Sequence, residues 1–242
     1  MADEIFVGTS GWAYAGWKPG FYPKEVAAKN FLKYYATRLS SVEVNFTFRQ
    51  RLSAKTAEKW LAETPEHFRF TFKAHQAITH YKRLRDVDEL LKGFFASLEP
   101  MLYAKRLGAM LFQLPHNLKY DRDLFSSFLD KLPRAMQNVV EFRHASWLND
   151  ECYATLRERN VGFCITEGTD ELSTPEIATA DFRYYRLRRA DYSKQRIQEL
   201  AGGLQGHTAY VYFKHEETPE GALRAGDLLS ALGMAPAVPA KA

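Results

Sequence analysis

Short apolar runs alternate with segments of helical periodicity along the whole chain. The first run is Ile5-Phe6-Val7-Gly8, followed by a loop of Gly, Pro and aromatic residues and a helix around Ala28 to Leu39. Val42 to Phe46 reads as the second strand, and Ser53 is placed to cap a helix through Leu61. Phe68 to Lys73 is the third strand. A long helix over Asp86 to Arg106 follows, with Leu90, Leu91, Phe94, Phe95 and Leu98 at helical spacing. Gly108 to Gln113 is the fourth strand, and Asp121 caps the helix carrying Leu124, Phe125, Phe128 and Leu129. The fifth strand, Asn138 to Arg143, leads into a helix over Asn149 to Arg159. The sixth, Val161 to Thr166, is followed only by a short Pro-containing crossover. Phe182 to Arg188 and Ala209 to Lys214 are the last strands, followed by helices near Ser193 to Leu204 and Gly221 to Leu232.

Strands alternating with helices imply a parallel sheet, and eight such units close into a (β/α)8 barrel of the TIM type, here with some short or irregular helices. A doubly wound open sheet is the competing fold. It favours a G-x-G-x-x-G loop after the first strand, and Gly8-Thr9-Ser10-Gly11 does not match. One barrel domain over residues 1–233 is expected, with 234–242 a disordered tail.

The phase of each strand follows from burial. Residues facing the helices must be apolar, because an unpaired charge there costs several kcal/mol. Val42 and Val44 therefore turn outward, leaving Glu43 and Asn45 in the lumen. By the same rule Phe70 and Phe72 leave Thr71 and Lys73 inward, and Leu111 and Gln113 share the inner side. Val140 and Phe142 leave Glu141 and Arg143 inward; Tyr185 and Leu187 leave Tyr184 and Arg186 inward; Tyr212 and Lys214 face inward on the last strand. These polar groups fall in the last turns of their strands, the face where barrel enzymes hold their sites. A purely structural charge network is the alternative, but Val, Ile and Leu fill a barrel more stably than charges do.

Composition narrows the class. The chain has 242 residues, 46% hydrophobic and 26% charged, which is enough for a sizeable core. Its formal net charge of +4 suits an anionic ligand but is not by itself a nucleic-acid signature. The acidic start Met1-Ala2-Asp3-Glu4 lacks the pattern of a signal peptide, and no run reaches a membrane span, so a cytoplasmic protein without membrane contacts is expected. Cys152 and Cys164 fit no metal or redox spacing, and Cys164 lies in an apolar run.

These segments together resemble one family. They are Val7-Gly8-Thr9-Ser10-Gly11-Trp12 with Tyr14 and Trp17, Phe21-Tyr22-Pro23, Val42-Glu43-Val44-Asn45 with Thr47-Phe48, Phe70 to Lys73, Ile78-Thr79-His80 and Phe112-Gln113-Leu114-Pro115. Val140-Glu141-Phe142-Arg143-His144 with Ser146-Trp147, Tyr185-Arg186-Leu187 and Tyr210-Val211-Tyr212-Phe213 complete them. The chain resembles the domain-of-unknown-function-72 family, the YecE-like proteins, over nearly its whole length. The resemblance implies a triosephosphate-isomerase-type barrel and no particular activity. The chain departs from the family pattern at three places. Phe46 replaces a small polar residue, Arg188-Arg189 a His-Gly, and Lys214-His215 an Asn pair. The last two make this mouth more basic.

Glu43, Glu141, Lys73 and His80 are the candidate catalytic residues, as carboxylate, amine and imidazole groups able to move protons. Salt bridging of Lys73 and a hydrogen-bonded anchor role for His80 stand as the alternatives. Ser10, Trp12, Tyr14, Asn45, Gln113, Arg143, His144, Trp147, Arg186 and Lys214 are candidate ligand contacts, with Arg188 beside them. The guanidinium and ammonium groups would clamp an anion, and Trp12 and Tyr14 would stack on a ring unless the loop aromatics simply plug the rim. Gly8-Thr9-Ser10-Gly11 either offers backbone N–H groups to an anion or forms a tight turn. Glu43, Glu141, His75, His80 and His144 are metal-ligand types, but Lys73, Arg143 and Arg186 would repel a cation, so neither metal nor cofactor is expected. The reading is an enzyme or binder for a small phosphorylated or nucleotide-like anion. A nucleic-acid-binding or nuclease-like barrel and a non-catalytic binding module stay open beside it, as do catalysis itself and the oligomeric state.

Overall fold

The computed structural model describes residues 4–167, 172, 174–189, 191–214 and 217–234. The expected tail over 234–242 lies outside the described residues, apart from Met234. Eight parallel strands close into a barrel in sequence order. They are β1 (Ile5–Ser10), β2 (Ser41–Val44), β3 (Arg69–Lys73), β4 (Leu107–Gln113), β5 (Asn138–Glu141), β6 (Gly162–Glu167), β7 (Phe182–Leu187) and β8 (Thr208–Phe213). Closure pairs β8 with β1, Phe6 opposite Tyr210. The helices are α1 (Phe31–Tyr35), α2 (Ala54–Glu63), α3 (Asp88–Tyr103), α4 (Arg122–Leu129), α5 (Asp150–Arg157), α6 (Lys194–Leu204) and α7 (Glu220–Ala231). This is the (β/α)8 architecture.

Side-chain hydrogen bonds start the helices where the sequence places them. Ser53, Asp121, Asn149 and Ser193 each accept from the backbone N–H three residues on, satisfying donors that the first turn leaves unpaired. The expected helix over 28–39 is shorter. Residues 28–30 form a 3-10 turn and α1 spans five residues. Aromatic packing from the preceding loop takes its place: Tyr22 stacks on Phe31 at 4.0 Å, and the Tyr35 hydroxyl donates to the Ser41 carbonyl while accepting from Thr9 N–H. Gly8 makes room for this, since a Cβ there would lie 1.8 Å from the Ser41 carbonyl oxygen. The long third helix stops short of its expected ends because Asp86 and Lys105 take left-handed backbone conformations.

Among the described residues no helix joins β6 to β7. Thr174 instead accepts from the Thr166 N–H, and the Tyr185 hydroxyl donates to Glu176. A cavity of about 290 Å³ remains between Glu167, Tyr185 and Arg196, where a helix would otherwise pack.

The strand phases divide the core in two. Val42, Val44, Phe70, Phe72, Val140, Phe142, Tyr185 and Leu187 pack outward against the helices. Phe6, Ala109, Leu111, Val139, Cys164, Phe182, Tyr184, Tyr210 and Tyr212 fill the lumen. Both cysteines are buried free thiols, and burial pushes the Cys152 thiol up to about 12. No helix among the described residues is long and apolar enough to cross a membrane.

Candidate functional site

Above this apolar floor, the last inward positions of β2, β4, β5 and β7 bring Glu43, Gln113, Glu141 and Arg186 together. Arg186, 1% exposed, lies between the two carboxylates. Its Nη2 donates to Glu43 Oε1 at 2.7 Å and its Nη1 to Glu141 Oε2 at 2.5 Å. Arg188, just past β7, donates through Nη2 to Glu141 Oε1 at 2.6 Å. The chain Glu43–Arg186–Glu141–Arg188 therefore alternates in sign, which is what makes its burial tolerable.

Neutral donors complete the two carboxylates. Glu43 also accepts from the hydroxyls of Ser10 at 2.7 Å and Tyr184 at 2.6 Å. Glu141 accepts from Gln113 Nε2 at 2.9 Å. Burial alone would raise both carboxyl pKa values, but the arginines and these donors outweigh it. Glu43 is held below the usual carboxylate range and Glu141 falls to about 2. Both carboxyls are therefore held in the anionic form by the groups around them. They organise the site.

Lys73 stands differently. Its Nζ donates to Gln113 Oε1 at 2.8 Å and lies 4.1 Å from the centre of the Phe48 ring. No carboxylate among the described residues lies within ion-pair distance of it, so the expected salt bridge is not formed. Burial, then the Arg186 charge, lowers its pKa to about 8, against the opposing pull of Glu141 and Glu43. His80 lies on the single-turn π-helix Ala77–Tyr81 after β3, with Nδ1 at 2.8 Å from the Thr79 hydroxyl and its ring edge-on to Phe48. Burial and the nearby Lys73 lower its pKa, favouring the neutral imidazole.

Several expected ligand contacts are hydrogen-bonded to neighbouring protein groups. Ser10 is 2% exposed; its Oγ donates to Glu43 and accepts from Asn45 Nδ2 at 2.5 Å, so both residues hold the carboxylate. Gln113 is a bridge, its amide joining Lys73 to Glu141. His144 accepts from the Ser146 N–H through Nδ1 and caps the short 3-10 turn at residues 145–147. Trp147 lies apart from the ring. It is closed to solvent, stacks on Phe142 at 4.7 Å, and donates its indole N–H to the Leu118 carbonyl. The 3-10 turn carries it over the helix layer, away from the mouth.

Loop one packs mainly on itself. Trp17, Phe21 and Tyr22 are buried among one another. Trp12, edge-on to Trp60, and Tyr14, whose hydroxyl donates to the Ser10 carbonyl, keep part of their surface exposed. Gly8, Thr9 and Ser10 close strand β1, and Gly11 follows at a positive φ: Thr9 N–H donates to Tyr35 and Gly11 N–H to the Glu43 carbonyl. Arg143 and Lys214 border the ring, Arg143 beside Glu141, Arg188 and Arg186, and Lys214 within electrostatic reach of Lys73. Tyr184 and Phe48 belong to the site although neither was a candidate. The inward phase of β7 marks Tyr184, whereas Phe48 sits in a 3-10 turn with no periodic signal. Among the described residues no group of three or more His, Cys, Asp or Glu is arranged to hold a metal.

The family profile described as "Protein of unknown function DUF72" matches residues 6–242. The chain belongs to the DUF72 family. Over 170 residues it is 29% identical to the UPF0759 protein YunF of Bacillus subtilis, covering 68% of this chain and 58% of YunF. It is 31% identical over 143 residues to the UPF0759 protein YecE of Escherichia coli K12, covering 58% of this chain and 48% of YecE. The aligned part thus spans about half the length of these curated relatives. A crystal structure of a DUF72 protein from Thermotoga maritima superposes with a TM-score of 0.79 at 28% identity, covering 95% of this chain and 99% of that one. One from Enterococcus faecalis gives 0.81 at 17% identity, covering 99% and 100%, and shares the fold. This DUF72 barrel thus combines a buried, hydrogen-bonded ring of charges with a basic rim.

Proposed function

We propose that the C-terminal mouth of this DUF72 barrel takes up a small anionic ligand, phosphorylated or nucleotide-like, as the substrate of an enzyme or the ligand of a binder. The carrying observation is the gathering of basic side chains at the mouth. Among the described residues, Lys73, Arg143, Arg186, Arg188 and Lys214 cluster around the carboxylates of Glu43 and Glu141. Guanidinium and ammonium groups gathered in this way are the donors that an anion bearing several oxygens takes. The buried Arg186 Nε–H, which has no acceptor among the described residues, adds a donor.

Thermal unfolding with pyrophosphate, a nucleoside triphosphate and uncharged sugars tests this reading. Saturating anion at about a hundred times Kd adds roughly 2.7 kcal/mol, a rise in Tm of several degrees for a chain of this size. The rise is expected with the anions, absent with the sugars, and reduced in Arg143→Met and Lys214→Met. Equal shifts from the sugars, or none from any anion, would contradict it. A steeply salt-dependent shift from a short oligonucleotide alone would favour the nucleic-acid reading instead.

A further inference from the structure

We propose that Lys73 is a nucleophilic amine that condenses with the carbonyl carbon of an anionic aldehyde or ketone held at the mouth. This rests on the reading of the mouth as an anion site and names the chemistry performed there.

Three observations converge on this lysine. Its Nζ sits at the C-terminal end of β3, the face on which barrel sites are built, next to the most strongly wired part of the lumen. Arg186 and Arg188 bond Glu43 and Glu141, while among the described residues Lys73 contacts the neutral Gln113 carbonyl and the face of Phe48. The charged groups that reach it from the surrounding elements are Glu43 on β2, Glu141 on β5, Arg186 on β7 and Lys214 after β8, with His80 following on its own connection. Burial and the cationic neighbours outweigh the carboxylates and bring the ammonium down to about 8, the device by which a lysine becomes a nucleophile near neutral pH.

Gln113 fixes the geometry. Its Nε2–H is held by Glu141, so its Oε1 must be the atom turned to Lys73. A neutral amine donating one N–H to that oxygen keeps its lone pair for attack, and the iminium N–H formed later has an acceptor near the same place. The step balances without a cofactor. The nitrogen lone pair forms the C–N bond as the carbonyl π pair moves to oxygen, and a proton passes from nitrogen to oxygen to give the carbinolamine. Hydroxide leaves and is protonated by solvent to water, and the nitrogen lone pair closes the C=N bond of the iminium. Arg143, Arg188 and Lys214 supply the charge that would hold the anionic end of the substrate.

The test uses this chain, with pyridoxal 5′-phosphate as an aldehyde bearing a phosphate and 5′-deoxypyridoxal, which lacks the phosphate and cannot close to a hemiacetal, as its counterpart. Each is incubated briefly, reduced with borohydride and mapped by peptide mass spectrometry, while pyrophosphate binding is followed in parallel by Tm. The expected result is a reduced adduct on Lys73 forming at least tenfold faster with the phosphorylated aldehyde than with 5′-deoxypyridoxal. It should be suppressed by pyrophosphate and rise with pH to a midpoint near 8. Labelling of Lys73 no faster than of the exposed lysines, with pyrophosphate still raising Tm, would overturn the amine role and leave the anion site standing. Equal labelling of Lys73 by both aldehydes, with no pyrophosphate shift, would overturn the anion site and with it the substrate class proposed here.

Discussion

The guanidinium of Arg186 bonds the carboxylate of Glu43 across the lumen at 2.7 Å, with both groups closed to solvent. Arg186 also holds Glu141 and so bridges the two buried carboxylates. Arg186→Met removes that cation and leaves two charges to be solvated or neutralised. The expected loss is about 3–5 kcal/mol, read from urea denaturation. Glu43→Gln should cost less, since Arg186 keeps Glu141. A loss under about 1 kcal/mol in Arg186→Met would mean the ring is not wired this way.

Glu141 titrates at about 2 in the folded protein against an ordinary 4.5. Between those values the unfolded chain binds more protons than the native one, so stability falls as the pH drops from about 4.5 through 2. Urea midpoints between pH 5 and 2 should therefore fall more steeply in the wild type than in Glu141→Gln. Parallel profiles for the two proteins would place the acid sensitivity elsewhere.

The folded pKa of Lys73 is also lowered, but here the charged form is the disfavoured one. With a folded pKa of about 8 against 10.5, the native state gives up its proton first as pH rises, so this residue adds stability from about pH 8 towards 10.5. Below pH 8 its buried ammonium is a burden. Lys73→Met should match or exceed the wild type at pH 7 and lose that advantage by pH 10. A constant difference across the range would show that the ammonium is not strained by burial.

The Trp147 indole is wedged against Phe142 and Phe125 and bonded to the Leu118 carbonyl. Trp147→Ala is expected to cost about 3–5 kcal/mol and yet keep the Tm rise given by pyrophosphate. Loss of that rise in a still-folded variant would return Trp147 to the ligand site.

Much of this was legible in the chain because the period of a strand is two and its helix-facing side must be apolar. Val42 and Val44 place Glu43 in the lumen, and Tyr185 and Leu187 place Arg186 there; the structure joins those two residues although they lie far apart in sequence. Periodicity fails once a strand ends. Trp147 follows β5 by a 3-10 turn that swings it outward, and Arg188 lies one residue beyond β7, so only the folded chain shows the first in the helix layer and the second on Glu141. Roles within the lumen were also hidden. Alternation puts Gln113 and Lys73 on the inner side, but only three-dimensional neighbours show that the arginines satisfy the carboxylates and leave Lys73 with an amide.

Crystals soaked in tungstate and recorded at the tungsten edge show directly whether an anion lodges among Lys73, Arg143, Arg188 and Lys214, without any assumption about turnover. The expected result is an anomalous peak within hydrogen-bonding distance of at least two of those four side chains, lost in Arg143→Met. Peaks confined to the other end of the barrel, where Arg69 and Arg134 line a cavity of about 430 Å³, with none at the charged mouth, would contradict it.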